Sequence, residues 1–194
     1  MIRFTDVVHD GRAETAKNTN GPEAEAILQE LRELAESNAA PSVGIITPHT
    51  EQQALLVQLV NRQEDAERLN EALDLKIMTF DTCQGEERDI ILYSMVATRI
   101  NDKLSYVFPK SLDDAEEVDH VLRLQRLNVG FSRIKEQMHF FLSKPIEEFS
   151  GAIGKALQHS RMFSKQARPR PGPLTPLQSH LWRKKFSRGS TRRS

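Results

Sequence analysis

The sequence predicts an α/β fold with a mostly parallel sheet covered on both faces. Short apolar runs (Ile2 to Val8, the β-branched Val43 to Thr47, Leu75 to Phe80, Ile90 to Val96 and Met138 to Leu142) are separated by stretches with helical spacing. Parallel neighbours need crossover connections of that kind. The chain has 194 residues, of which 38% are apolar. That is enough for one domain of about 150 residues and a tail.

Taken in order, Ile2 to Val8 reads as the opening strand and Asp10 to Gly21 as a polar loop. Pro22 suits a first helical turn, and Ala24, Ile27, Leu28, Leu31, Leu34 and Ala35 share one helical face, so a helix is expected to run to about Asn38, ahead of Pro41. Val43 to Thr47 is a short strand closed by Pro48, which removes a backbone donor. Thr50 to Ala72 follows as one long helix, irregular across the polar stretch Asn61 to Glu67. After the strands at Leu75 to Phe80 and Ile90 to Val96, the mixed segment Ala97 to Asp119, with Pro109 and an acidic run, reads as an exposed insertion. His120 to Lys135 returns to helical spacing through Leu124, Leu127, Phe131 and Ile134, Met138 to Leu142 is the last strand, and Pro145 opens a terminal helix.

The net charge of zero hides a division. Residues 161–194 hold ten of the 27 Lys and Arg and none of the 27 Asp and Glu, which leaves the body, 1–160, at −10. Residues 161–194 are poor in apolar periodicity and rich in Pro and Arg, and they read as an unfolded tail. Its charge suits nucleic acid held without sequence reading, or simply a solvated tail. The abrupt change of composition after His159 also fits a truncated or frame-shifted reading frame. The single Cys83 excludes an intramolecular disulfide and a cysteine zinc framework, so the cytoplasm is the expected address. No apolar run approaches 18 residues and the N-terminus has no basic stretch leading into a hydrophobic one, so no membrane role is expected.

Two segments carry chemistry. The first is Thr79-Phe80-Asp81-Thr82-Cys83-Gln84-Gly85-Glu86-Glu87-Arg88-Asp89, a polar turn between two predicted strands. Gly85 lets the backbone adopt positive φ or approach a ligand, and Gln84 brings a donor and an acceptor; a plain tight turn is the bland alternative. The second is Arg126-Leu127-Asn128-Val129-Gly130-Phe131-Ser132-Arg133-Ile134-Lys135. A guanidinium stays charged at physiological pH and grips phosphate oxygens through two donors, which suits charge developing on a transferring phosphoryl group. Arg126 lies two helical turns before Arg133 and would project from roughly the same face. The six His are scattered without metal-ligand spacing, and no serine has the setting of a nucleophile, so no covalent catalysis is assigned.

In order and spacing the two segments resemble motifs V and VI of superfamily 1 helicases of the Upf-like branch. Thr47, Pro48 and Gln52 resemble motif IV, with His49 where Tyr is usual, and Asn20-Gly21-Pro22-Glu23-Ala24 resembles the opening of the helix before it. In the second segment Gly130, Ser132 and Ile134 replace the usual Ala, Thr and Ala. The resemblance covers about residues 2–145. It implies a RecA-like three-layer sandwich, the second motor domain of a P-loop helicase. It also implies that Arg133 is an arginine finger, that Gln84, Gly85, Glu87 and Arg126 face nucleotide, and that Thr47 and Thr79 lie beside single-stranded DNA or RNA.

The 194 residues contain no Gly-x-x-x-x-Gly-Lys-(Ser/Thr) phosphate loop and no Walker B strand. The expectation is therefore the C-terminal half of an ATP-dependent helicase, inactive alone, whose ATP and Mg²⁺ belong to a separate Walker A/B motor domain. The alternatives are a non-catalytic nucleic-acid-binding or motor-docking module and a truncated helicase fragment.

Overall fold

The structure is a computed structural model that describes residues 1–9, 17–37, 39, 41–100, 102–110 and 134–166. Its centre is a five-stranded sheet, with every pairing parallel and the strand order β1-β5-β4-β2-β3. The strands are β1 (Ile2–Asp6), β2 (Val43–Thr47), β3 (Lys76–Thr79), β4 (Arg88–Ser94) and β5 (Ile134–Leu142). Among the described residues the helices are α1 (Gly21–Ala35), α2 (Thr50–Asn61), α3 (Ala66–Ala72) and α4 (Gly151–Gln166). This is the α/β, RecA-like arrangement expected from the sequence.

Strand alternation sends side chains to two separate cores. Val43, Ile45, Ile90, Leu92 and Phe141 point to the face covered by α1, α2 and α3. Ile46, Ile91, Tyr93, Phe140 and Leu142 point to the opposite face, which α4 covers through Ile153 and Leu157. On that second face Tyr93 stacks on Phe140 at 4.5 Å between ring centroids. The central strands are buried on both sides, which explains why they read as continuous apolar runs rather than alternating ones.

Four expectations change. The long helix from Thr50 to Ala72 is two helices, because Arg62 to Asp65 supply no apolar face and their turn is clamped from outside. Arg32 of α1 donates to Gln63 Oε1 at 2.7 Å and pairs with Asp65 at 3.8 Å. The part of the expected insertion that is described is only partly exposed. A 3₁₀ turn, Leu104–Tyr106, lodges Leu104 and Phe108 in the second core, where the Phe108 ring meets that of Phe80 edge-on at 4.8 Å. Ile134 and Lys135, expected at the end of a helix, open β5; the rest of that expected helix lies outside the described residues. Pro145 precedes a 3₁₀ turn, Ile146–Glu148, and the terminal helix starts only at Gly151. The backbone there has φ +72°, and an added Cβ would sit 3.0 Å from the Pro109 carbonyl oxygen, so glycine meets both demands. Helix α4 continues through Gln166, and 167–194 lie outside the described residues.

Candidate functional site at two edges of the sheet

Because every strand is parallel, the sheet has one carboxyl edge and one amino edge, and the residues of the first polar segment are divided between them. Thr47 and Thr79 are register partners at the carboxyl ends of β2 and β3. Both are buried. Phe80 N–H donates to the Thr47 carbonyl at 3.2 Å, while the Thr79 carbonyl accepts from the N–H groups of Thr82 and Cys83, both at 3.1 Å. Thr82 Oγ1 accepts from the Thr79 N–H at 2.9 Å, so a tight hydroxyl-braced turn ends the strand. Thr47 Oγ1 is buried and has no hydrogen-bond partner among the described residues, an uncommon state for a buried hydroxyl.

From this turn the chain runs back to the amino edge within a few residues, with Phe80 and Cys83 buried on the way. It arrives at Glu86, which bonds to Lys76 at the first position of β3 and pairs with Arg88 at 3.3 Å. Strand β3 rises about 3.3 Å per residue, which separates Lys76 from Thr79 by about 10 Å. Gln84, Gly85 and Glu87 lie on this return, with Gln84 and Gly85 exposed. Gly85 has φ +83°, and nothing lies within 4 Å of where a Cβ would be. Its glycine is needed for the backbone conformation, and the space beside it is open to a ligand. Asp89 serves the structure instead. Its carboxylate accepts from Ser42 N–H at 2.9 Å and Ser42 Oγ at 2.7 Å, which holds its pKa below the ordinary range.

Ile134 is the register partner of Arg88. The residue after Arg133 therefore lies beside the residue after Glu87, at the amino edge. Arg126 and Arg133 themselves lie outside the described residues.

Asn20, Glu23 and Gln52 match the motif pattern, but the sequence alone gives them no role. They form a buried polar hub at the carboxyl edge. Asn20 caps α1 by accepting from the Glu23 N–H at 3.0 Å. The usual return bond of a capping box is absent, because the Asn20 N–H donates to Gln52 Oε1 at 2.8 Å. The Glu23 carboxylate turns inward instead. It accepts from Ser94 Oγ at 2.8 Å, Ser143 Oγ at 2.9 Å and the Val96 N–H at 2.8 Å. Gln52 Nε2 donates to Ser94 Oγ at 3.0 Å and Asn20 Nδ2 to Ser143 Oγ at 2.8 Å, so both serine protons are directed at the carboxylate. Burial outweighs these donors and pushes the Glu23 pKa up to about 7. Val96 holds φ +65°, unusual for a β-branched residue, and the bond to Glu23 fixes it there. An Asn with a Glu three positions on, ahead of an apolar helix face, was the available signal.

Among the described residues no group of three or more His, Cys, Asp or Glu could hold a metal ion. Gln84, Gly85 and Glu87 do not by themselves make a phosphate cradle.

Residues 1–144 match the AAA domain family. The chain belongs to that family. The chain is 28% identical over 162 residues to an uncharacterized ATP-dependent helicase of Mycoplasma genitalium, covering 78% of this chain and 14% of the relative. It is 25% identical over 150 residues to the homologue from Mycoplasma pneumoniae, covering 72% and 12%. The chain thus spans about an eighth of the length of these curated relatives. Among solved structures it is similar to the C-terminal domain of a possible DNA helicase from Lactobacillus plantarum WCFS1, with 10% identity, a TM-score of 0.37 and coverage of 79% and 76%. At that score the superposition adds nothing to the fold already described. The family match and the similarity to ATP-dependent helicases agree with the helicase resemblance of its motifs. No described helix is long and apolar enough to cross a membrane.

Proposed function

We propose that this AAA domain is the C-terminal motor half of a superfamily 1 helicase, and that it completes an ATP site whose Walker A and B elements lie outside these 194 residues. The observation that carries this reading is the register of β4 and β5. The residues following Glu87 and Arg133, Arg88 and Ile134, are direct partners, and Gln84, Gly85 and Glu87 lie on the return that leads to Arg88. In this reading Arg133 supplies transition-state charge stabilisation, with Arg126 as a second cation facing nucleotide. Gln84 and Glu87 offer hydrogen-bond partners to the nucleotide, and ATP and Mg²⁺ are held chiefly by the other half. Thr47 and Thr79, at the opposite edge, belong to the side that meets single-stranded DNA or RNA.

The test is nucleic-acid-stimulated ATP hydrolysis by this chain combined with a Walker A/B motor half from the same source. Arg133→Ala lowers turnover by about 10³ to 10⁵ with the circular dichroism unchanged. Turnover retained by that variant refutes the role. The basic segment 161–194, whose first six residues belong to α4, has ten basic and no acidic residues and favours a second reading as a non-catalytic nucleic-acid binder. Such a binder loses affinity steeply with added salt and independently of ATP.

A further inference from the structure

We infer that a cleft lined by Lys17, His49, Lys103 and Tyr106 is a binding site for a single nucleic-acid strand, in which Tyr106 stacks on a base and the two lysines hold phosphates. This rests on the nucleic-acid reading above and adds to it Lys17, Lys103 and Tyr106, which no motif flagged.

The location comes from the topology. Strand β2 is followed by α2 on one face of the sheet, and its neighbour β4 is followed by the segment that packs Leu104 and Phe108 on the other. Chains leaving adjacent parallel strands in opposite directions open a crevice at their carboxyl ends, which is where open α/β sheets bind ligands. A cleft of about 440 Å³ lies there, lined by Lys17, Asn18, His49, Lys103, Tyr106 and Val107.

Its chemistry suits a strand. Among the described residues neither Lys17 nor Lys103 has a carboxylate within ion-pair distance. Burial lowers the His49 pKa against the pull of Glu51, with the nearby charge of Lys103 adding to the fall, so the cleft's positive charge comes chiefly from the lysines. Tyr106 is 73% exposed, although aromatic rings are usually covered. An exposed ring beside paired cations is the arrangement by which proteins hold single strands. Glu51 stands at the rim, held by Asn18 Nδ2 at 3.0 Å, and opposes an anion.

A larger cleft of about 860 Å³ lies at the other crevice, between β1 and β5. It is the weaker candidate, because its cations are already neutralised: Arg99 by Glu148, Lys144 by Asp102 and Arg161 by Glu147.

The experiment uses the full chain and a fluorescein-labelled 20-nucleotide oligothymidylate, read by anisotropy. Tyr106→Ala weakens binding by about 5- to 100-fold, as expected for one lost stacking contact, and Tyr106→Phe restores most of it. Lys17→Gln with Lys103→Gln weakens binding and lowers the dependence on salt by about two phosphate contacts, whereas Glu51→Gln tightens it. Photocrosslinking of a 5-iodouracil-substituted strand labels the peptide containing Tyr106. Three outcomes overturn the inference: no binding by the unaltered chain in low salt, crosslinks confined to 161–194 with the cleft variants unchanged, or competition by free ATP at the strand's own affinity. None of these depends on Arg133 or on turnover, so the site and the motor reading fail separately.

Discussion

The buried carboxylate of Glu23 makes the stability of this domain depend on pH in an unusual direction. In the unfolded chain the group ionises near 4.5, and in the folded one near 7. Below pH 4.5 both states hold the proton. Between 4.5 and 7 the unfolded chain releases it and the folded chain keeps it, so folding stability falls as pH rises through this window and is level above it. At about 1.4 kcal/mol per pH unit, a displacement from 4.5 to about 7 amounts to about 3 kcal/mol. That is a large share of the roughly 5 to 15 kcal/mol typical of a domain.

His49 works the other way. Burial lowers its pKa, so its contribution is present above about pH 6.5 and fades as pH falls. The two must be separated by difference. Urea unfolding followed by circular dichroism, repeated from pH 4.5 to 8.5 on the unaltered chain and on Glu23→Gln, isolates the carboxylate. The stability of the unaltered chain minus that of Glu23→Gln should fall by about 3 kcal/mol across the window. A difference that stays flat or rises with pH would sink the argument, because the hydroxyl and amide donors around Glu23 would then have outweighed its burial.

Phe108→Ala should cost about 3 to 5 kcal/mol, as for a large side chain removed from a core; a cost below about 1 kcal/mol by urea titration would return this segment to the exposed insertion that its polarity suggested. Gly85→Ala should cost about 1 to 2 kcal/mol through its positive φ alone, since its Cβ would meet nothing. A thermal midpoint unchanged from the unaltered chain would show that the turn relaxes. Asn20→Ala removes the cap of α1 and a donor to Ser143, so it should destabilise by about 2 kcal/mol; a loss no larger than that of an exposed cap, under about 1 kcal/mol, would mean that the hub is replaced by water.

The five strands, the helices beside most of them and the parallel order of connections were legible in the residues alone. Apolar periodicity reports directly on which residues must leave water, as Val43 to Thr47 and Ile90 to Leu92 show. It also located the polar turn around Gly85, because a positive φ selects glycine locally. Packing settled what depends on neighbours distant in the chain. Arg32 breaks the long helix from a different element, and the core accepts Leu104 and Phe108 out of a stretch whose composition looks solvated. The division of one contiguous segment between two edges, with Thr79 at one and Glu86 at the other, follows only once all the strands are known to be parallel. The inward turn of Glu23 depends on Ser94, Val96 and Ser143, which lie 71, 73 and 120 residues away. A sequence states the donors and acceptors a chain carries, but the packed sheet alone decides which of them meet.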